Sequence, residues 1–131
     1  MAAMAATFDI AFDPSRGLVR ITLAGFFTGD EMRQFAAARQ TAYDRMTTPR
    51  GRHLTLIDVR ACKIQSQEVV EAFRAILRDP SGQGRRLAFV TGDSAAKMQI
   101  RRLIERDSAR VFDDMAGADA WLAADDEARA A

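Results

Sequence analysis

Apolar and polar side chains alternate with a period of two over Phe8-Asp9-Ile10-Ala11-Phe12, and again over Leu18 to Leu23, where Leu18 (or Val19), Ile21 and Leu23 form the apolar set. That period predicts two half-buried strands, and Asp13-Pro14-Ser15-Arg16-Gly17 between them is rich in turn formers, so the chain opens with an antiparallel hairpin. The second strand ends at Ala24-Gly25. Thr28 with Glu31 three residues later has the form of a capping box, after which Met32, Phe35, Ala36, Tyr43 and Met46 recur at helical spacing until Thr47-Thr48-Pro49-Arg50-Gly51.

The pattern then changes. Leu54-Thr55-Leu56-Ile57 is almost continuously apolar and ends at Asp58, as expected of a central strand covered on both faces. A loop, Val59 to Gln65, leads to a helix over Ser66 to Arg78 with Val69, Val70, Phe73, Ile76 and Leu77 on one stripe. Pro80 and Gly82 stop that helix. The same strand, loop and helix unit recurs over Leu87 to Ile104 and over Arg110 to Leu122. In the first repeat, Leu87-Ala88-Phe89-Val90 precedes the loop Thr91-Gly92-Asp93-Ser94 and a helix with Ala96, Ile100, Leu103 and Ile104 inward. In the second, Arg110-Val111-Phe112 precedes a helix carrying Ala118, Trp121 and Leu122. The expected order is β-β-α-β-α-β-α-β-α: an α/β fold with a mixed sheet, an N-terminal antiparallel hairpin, later parallel strands and right-handed crossovers.

Composition narrows the functional classes. A length of 131 residues, 48% of them hydrophobic, suits one domain over 7–124 with flexible ends at 1–6 and 125–131. Nineteen basic and eighteen acidic side chains leave a net charge of +1, which supplies no overall field for nucleic acid. One cysteine excludes an internal disulfide, and one histidine argues against a structural zinc site. No apolar run approaches the roughly 18 residues of a membrane span, and the first residues lack a signal peptide's basic start, so a cytoplasmic location is expected.

Leu56-Ile57-Asp58 before a helix-opening Ser, Leu87-Ala88-Phe89-Val90 before a small polar loop, and Val111-Phe112-Asp113 followed by Ala120-Trp121-Leu122 together resemble the STAS domains, the sulphate transporter and anti-sigma factor antagonist group with the SpoIIAA-like fold. The resemblance spans Thr7 to Ala124. It implies a regulatory or scaffolding module that binds a protein partner and catalyses nothing, needs no cofactor, and in some members of the wider group takes a small apolar or lipid-like ligand. In the antagonist branch the helix after the third strand opens with an acidic residue, two hydroxyl residues and Gly, and the first Ser is phosphorylated. Here those positions are Gln65, Ser66, Gln67 and Glu68, so the Ser alone is kept.

Ser66 is therefore both a candidate phospho-site and a candidate helix cap, and Glu68 in the same first turn opposes a phosphate there. Asp58, Asp93 and Asp113 each fall at the carboxyl end of a strand, where open α/β sheets place their sites, and would be the ligands if the protein were a Mg²⁺-dependent phosphate-handling enzyme. No phosphate-binding glycine motif or nucleophile accompanies them. Cys62 lies between Arg60 and Lys63 but at the opposite end of its strand from His53, so no dyad forms. Phe26 and Phe27 stand side by side before a helix cap, which calls for one inward and one outward side chain. Met98 lies off the apolar stripe of its helix, beside Arg101 and Arg102. The candidate partner or ligand surface is thus Phe26, Phe27, Asp58, Arg60, Gln65, Ser66, Asp93 and Met98, with no catalytic and no metal-binding residue assigned. An apolar ligand would need a cavity lined from Phe26, Phe35, Val69, Phe73 and Met98, and a homodimer would form through an exposed helix or the hairpin edge.

Overall fold

Five strands lie side by side in chain order, because every connection after the first hairpin is a helical crossover to the neighbouring position. The computed structural model describes residues 6–49 and 51–124. Strand β1 (Thr7–Asp13) pairs antiparallel with β2 (Leu18–Gly25), while β3 (Leu54–Cys62), β4 (Arg86–Val90) and β5 (Ala109–Phe112) follow in parallel. Helices α1 (Gly29–Arg45), α2 (Gln67–Arg78) and α3 (Lys97–Leu103) occupy the connections, α4 (Met115–Ala123) closes the chain, and a 3₁₀ turn, Pro80–Gly82, follows α2. This is the expected order and the expected mixed sheet. The ends expected to be flexible fall outside the described residues except for Ala6, which packs against the core.

The alternation within each strand divides the apolar side chains between two faces. Val19, Ile21, Leu23, Ile57, Val59, Leu87 and Phe89 point to one face, where α1, α2 and α3 cover them with Met32, Phe35, Tyr43, Val69, Phe73, Ile100 and Leu103. Leu18, Leu54, Leu56, Ala88 and Val90 point to the other, against Ala118 and Leu122 of α4. The choice left open between Leu18 and Val19 resolves this way: each is buried, on opposite faces.

Two boundaries differ from the sequence reading. Strand β3 does not end at Asp58 but runs to Cys62, because β2 continues to pair with it through Ala24↔Ala61 and Gly25↔Cys62. The register shifts between Thr22↔Asp58 and Ala24↔Ala61, so β3 carries one extra residue there. Such a bulge reverses the inside-outside order and turns Cys62 to the covered face beside Val59, where plain alternation would put Ala61. The loop that was expected to begin at Val59 therefore starts only at Lys63. Helix α3 is also shorter than its apolar pattern suggested, ending at Leu103.

Candidate partner-binding edge

The helices begin at the carboxyl edge of the parallel strands, and two of the connections there, together with α3, meet at one residue, Gln65. Its Oε1 accepts the Phe27 backbone N–H at 2.8 Å, and its Nε2 donates to the carbonyls of Gly25 at 2.8 Å and Lys63 at 2.7 Å. Its backbone pairs with Gln99 of α3 in both directions: Gln65 N–H donates to Gln99 Oε1 at 2.9 Å, and Gln99 Nε2 donates to the Gln65 carbonyl at 2.9 Å. One glutamine thus ties the β2–α1 and β3–α2 segments to α3. Gly25 makes the turn feasible, since its φ of 87° brings its carbonyl round to the amide of Gln65 in a conformation that L-residues rarely adopt.

That tie sorts the two phenylalanines. Phe27 is 2% exposed and stands just before the Thr28 cap, with Met32 buried in the same cluster at the fourth helical position, the arrangement of a hydrophobic staple. Phe26 is 42% exposed. Two other large apolar side chains stand out in the same way, Ile64 at 60% and Met98 at 58%. Each of the three is next in sequence to a residue that Gln65 holds or to Gln65 itself. Phe26 lies between Gly25 and Phe27, Ile64 precedes Gln65, and Met98 precedes Gln99. Ile64 and Gln99 did not emerge from the sequence. Ile64 has a signal, a lone aliphatic in a polar loop, whereas Gln99 has none, because its role exists only once α3 is docked.

The remaining candidate residues are placed along the same edge but separately engaged. Ser66 is exposed and caps α2, its Oγ accepting the Val69 N–H at 3.2 Å. Glu68 leans away toward α1: a Cβ on Gly29 would meet Glu68 Oε1 at 2.7 Å, so the glycine leaves room for a carboxylate at the amino end of α1, where the helix dipole favours it. Asp58 forms a two-point ion pair with Arg60, Oδ1 to Nε at 3.0 Å and Oδ2 to Nη2 at 2.8 Å, and accepts the Arg60 backbone N–H at 3.0 Å. Burial pushes the Asp58 carboxyl up, but the hydrogen bonds and charge of Arg60 together outweigh it and hold the group below the usual carboxylate range. Asp113 pairs with Lys97 Nζ at 2.7 Å, Asp93 is exposed in the turn before α3, and Asp114 caps α4 through the Gly117 N–H at 2.7 Å. The three strand-end aspartates are thus not gathered, and among the described residues no group of three His, Cys, Asp or Glu side chains could hold a metal.

A cavity of about 40 Å³ lies beneath this edge on the covered face, lined by Phe27, Cys62, Val69, Phe73 and Ile100 among others. Of the five residues expected to line a ligand cavity, Val69 and Phe73 do so. Phe26 and Met98 point outward and Phe35 is buried elsewhere in the core. That volume holds a water or two and no apolar ligand. Burial, seconded by the nearby Asp58 charge, pushes the Cys62 thiol up to about 12, so it is neither a nucleophile nor a ready metal ligand.

An uncharacterized protein of the DUF3478 family from Shewanella loihica PV-4, with a SpoIIAA-like fold, matches with a TM-score of 0.70 at 16% identity, over 93% of this chain and 98% of the other. The fold is SpoIIAA-like. An anti-sigma factor antagonist from Mycobacterium paratuberculosis matches with a TM-score of 0.62 at 12% identity, over 90% of this chain and 94% of the other. No family model matches the chain, and no curated relative does. Among the described residues, no helix is long and apolar enough to cross a membrane.

Proposed function

We propose that this chain is a regulatory module that binds a protein partner through the carboxyl edge of its sheet and carries out no reaction there. The observation that carries the reading is the trio Phe26, Ile64 and Met98, exposed around the single rigid tie made by Gln65. Exposed apolar side chains that cluster on a pre-organised frame are what binding hot spots are made of, since little ordering entropy remains to be lost. Lys63 beside Ile64, and Arg101 and Arg102 one turn on from Met98, are exposed and set a basic rim. The partner surface is accordingly apolar at its centre and acidic at its border. That one structural neighbour is an anti-sigma factor antagonist supports the reading.

Ser66 serves in this scheme as a helix cap at the border of the patch, and docking does not require its phosphorylation. The test is a photo-crosslinking benzoylphenylalanine placed at Phe26 in the native host, with Ala11 on the far side of the hairpin as the control position. One protein should be trapped from position 26 and not from position 11, and Ile64→Ser with Met98→Ser should abolish the adduct. Trapping at both positions, or an adduct indifferent to the two serines, would refute the assignment. Ser66→Asp and Ser66→Ala should leave the adduct alike.

A further inference from the structure

The opposite, amino end of the sheet holds an arrangement that partner docking does not use. Between α2 and the α3–β5 connection lies a cavity of about 160 Å³. Leu87, Phe89 and Leu103 give it apolar walls, and Arg74, Arg78 and Arg106 line it with Glu105 as the accompanying acid. Glu105 is already committed: Oε1 accepts from Arg74 Nη1 at 3.1 Å and Arg78 Nη2 at 2.7 Å, and Oε2 from Arg78 Nε at 2.8 Å, while Arg74 Nε also meets Glu71 Oε2 at 3.4 Å on the other side. Arg106 is placed differently. Its Nη1 donates to the Gly84 carbonyl at 3.3 Å, and among the described residues no carboxylate lies in ion-pair range of it.

A second cation stands behind it in the same condition. Arg106 also lines a narrower void of about 10 Å³ with Arg39, Tyr43 and Gln83. Arg39 is 8% exposed, yet what it meets is the Gly82 carbonyl at 3.4 Å and the face of Tyr43, 4.7 Å from the ring centroid. Carbonyl dipoles and a ring quadrupole offset part of the cost of burying a guanidinium, but a full negative charge offsets much more. Burial accordingly pushes the Arg106 pKa down, only partly opposed by Tyr43, as for a cation short of counter-charge.

We propose that this cavity binds a small organic anion, its oxyanion head on Arg106 and Arg74 and its short apolar body against Leu87, Phe89 and Leu103. The guanidinium fork fits a carboxylate or a phosphate ester equally, and the apolar walls distinguish either from inorganic phosphate. The space exceeds what one or two waters fill, and it is too small for a long acyl chain.

Amide-shift titration of the full chain with hexanoate, with hexanamide and with inorganic phosphate tests this. Hexanoate should give saturable shifts at Leu87, Leu103 and Arg106, hexanamide none, and Arg106→Gln should weaken hexanoate by about tenfold or more. Should Arg106→Gln fail to fold, Arg74→Gln, which leaves Arg78 to hold Glu105, should weaken it in the same direction. Absence of saturable shifts up to about 10 mM hexanoate, equal binding of hexanamide, or tighter binding of inorganic phosphate than of hexanoate would each overturn the assignment.

Discussion

At the scale of single residues, polar side chains shape the carboxyl edge of the sheet more than its apolar ones do. Gln65 satisfies the Phe27 amide N–H and the Lys63 carbonyl, and shares the Gly25 carbonyl with the Lys63 backbone N–H, which donates to it at 3.1 Å. Replacing it with Leu keeps the bulk, orphans two of these groups and strips the Gly25 carbonyl of its second donor, which should cost about 2 kcal/mol in urea unfolding, against about 1 kcal/mol for the single cap lost in Ser66→Ala. The Asp58–Arg60 pair makes a prediction in pH. Because the folded-state pKa of Asp58 is depressed, its contribution is present above the unfolded carboxyl value near 4 and is lost as pH falls through the lower folded-state value. The stability difference between the wild type and Asp58→Asn should therefore be constant at neutral pH and shrink below about pH 4. Cys62 gives a third residue-level test. With its thiol held protonated and buried, labelling by a disulfide reagent at pH 8 should be slow in the native protein and immediate in denaturant. Rapid native labelling would contradict the inward turn that the β3 bulge gives it.

At the scale of elements, the sequence pattern was legible wherever a period repeats and illegible wherever a tertiary partner decides. The hairpin, the capping box at Thr28, the apolar strand at Leu54 and the helix opening at Ser66 could all be read from spacing, because the forces behind them act within a few residues. The extension of β3 through Ala61 and Cys62 could not, since Val59 to Cys62 carries no clean alternation and its pairing depends on β2 lying alongside. The candidate edge divides the same way. Phe26, Ser66 and Met98 were visible as exceptions to local patterns, and Ile64 carried a local signal too, whereas Gln99 matters only through Gln65. Arg39 and Arg86 illustrate the limit from the other direction. Neither stands out in the sequence, and both are buried because a neighbour supplies oxygen atoms or rings. Arg86, the first residue of β4 and 3% exposed, donates to the carbonyls of Trp121 at 2.7 Å, Leu122 at 3.1 Å and Ala124 at 3.0 Å, the orphan groups at the end of α4. The planar fork reaches several carbonyls at once, which a lysine ammonium does less well. Arg86→Lys should therefore destabilise by about 2 kcal/mol, read by chemical denaturation, and should shift the emission of Trp121, the one tryptophan of the chain.

At the scale of the whole molecule, the two faces of the sheet are unequally held. Among the described residues, three helices and a continuous cluster that joins β1 to β5 seal one face, while α4 covers the other, with seven buried residues in its cluster against eighteen opposite. Stability within a protein follows such density, so α4 should open as a separate, cheaper unit while the sheet and its three helices stay intact. Its attachment is also partly electrostatic: Asp119 meets Arg16 at 3.5 Å and Arg20 at 3.4 Å, contacts that are partly exposed and screened by salt. The carboxyl edge around Gln65 belongs to the other, denser unit, because Gln65 and Gln99 join the segments before α1 and α2 to α3 itself. Loosening α4 should therefore leave that edge in place. The experiment is native-state hydrogen exchange on the wild type and Leu122→Ala. Amides of α4 should lose protection at low denaturant, with Leu122→Ala lowering their opening free energy by about 3 kcal/mol. The amides of Phe27 and Gln65, which donate into the glutamine tie, should keep the protection of β3 and β4. Exchange of α4 at the same free energy as β4 would show instead that the two faces unfold as one, and that the helix is held by more than its small cluster and the Arg86 cap.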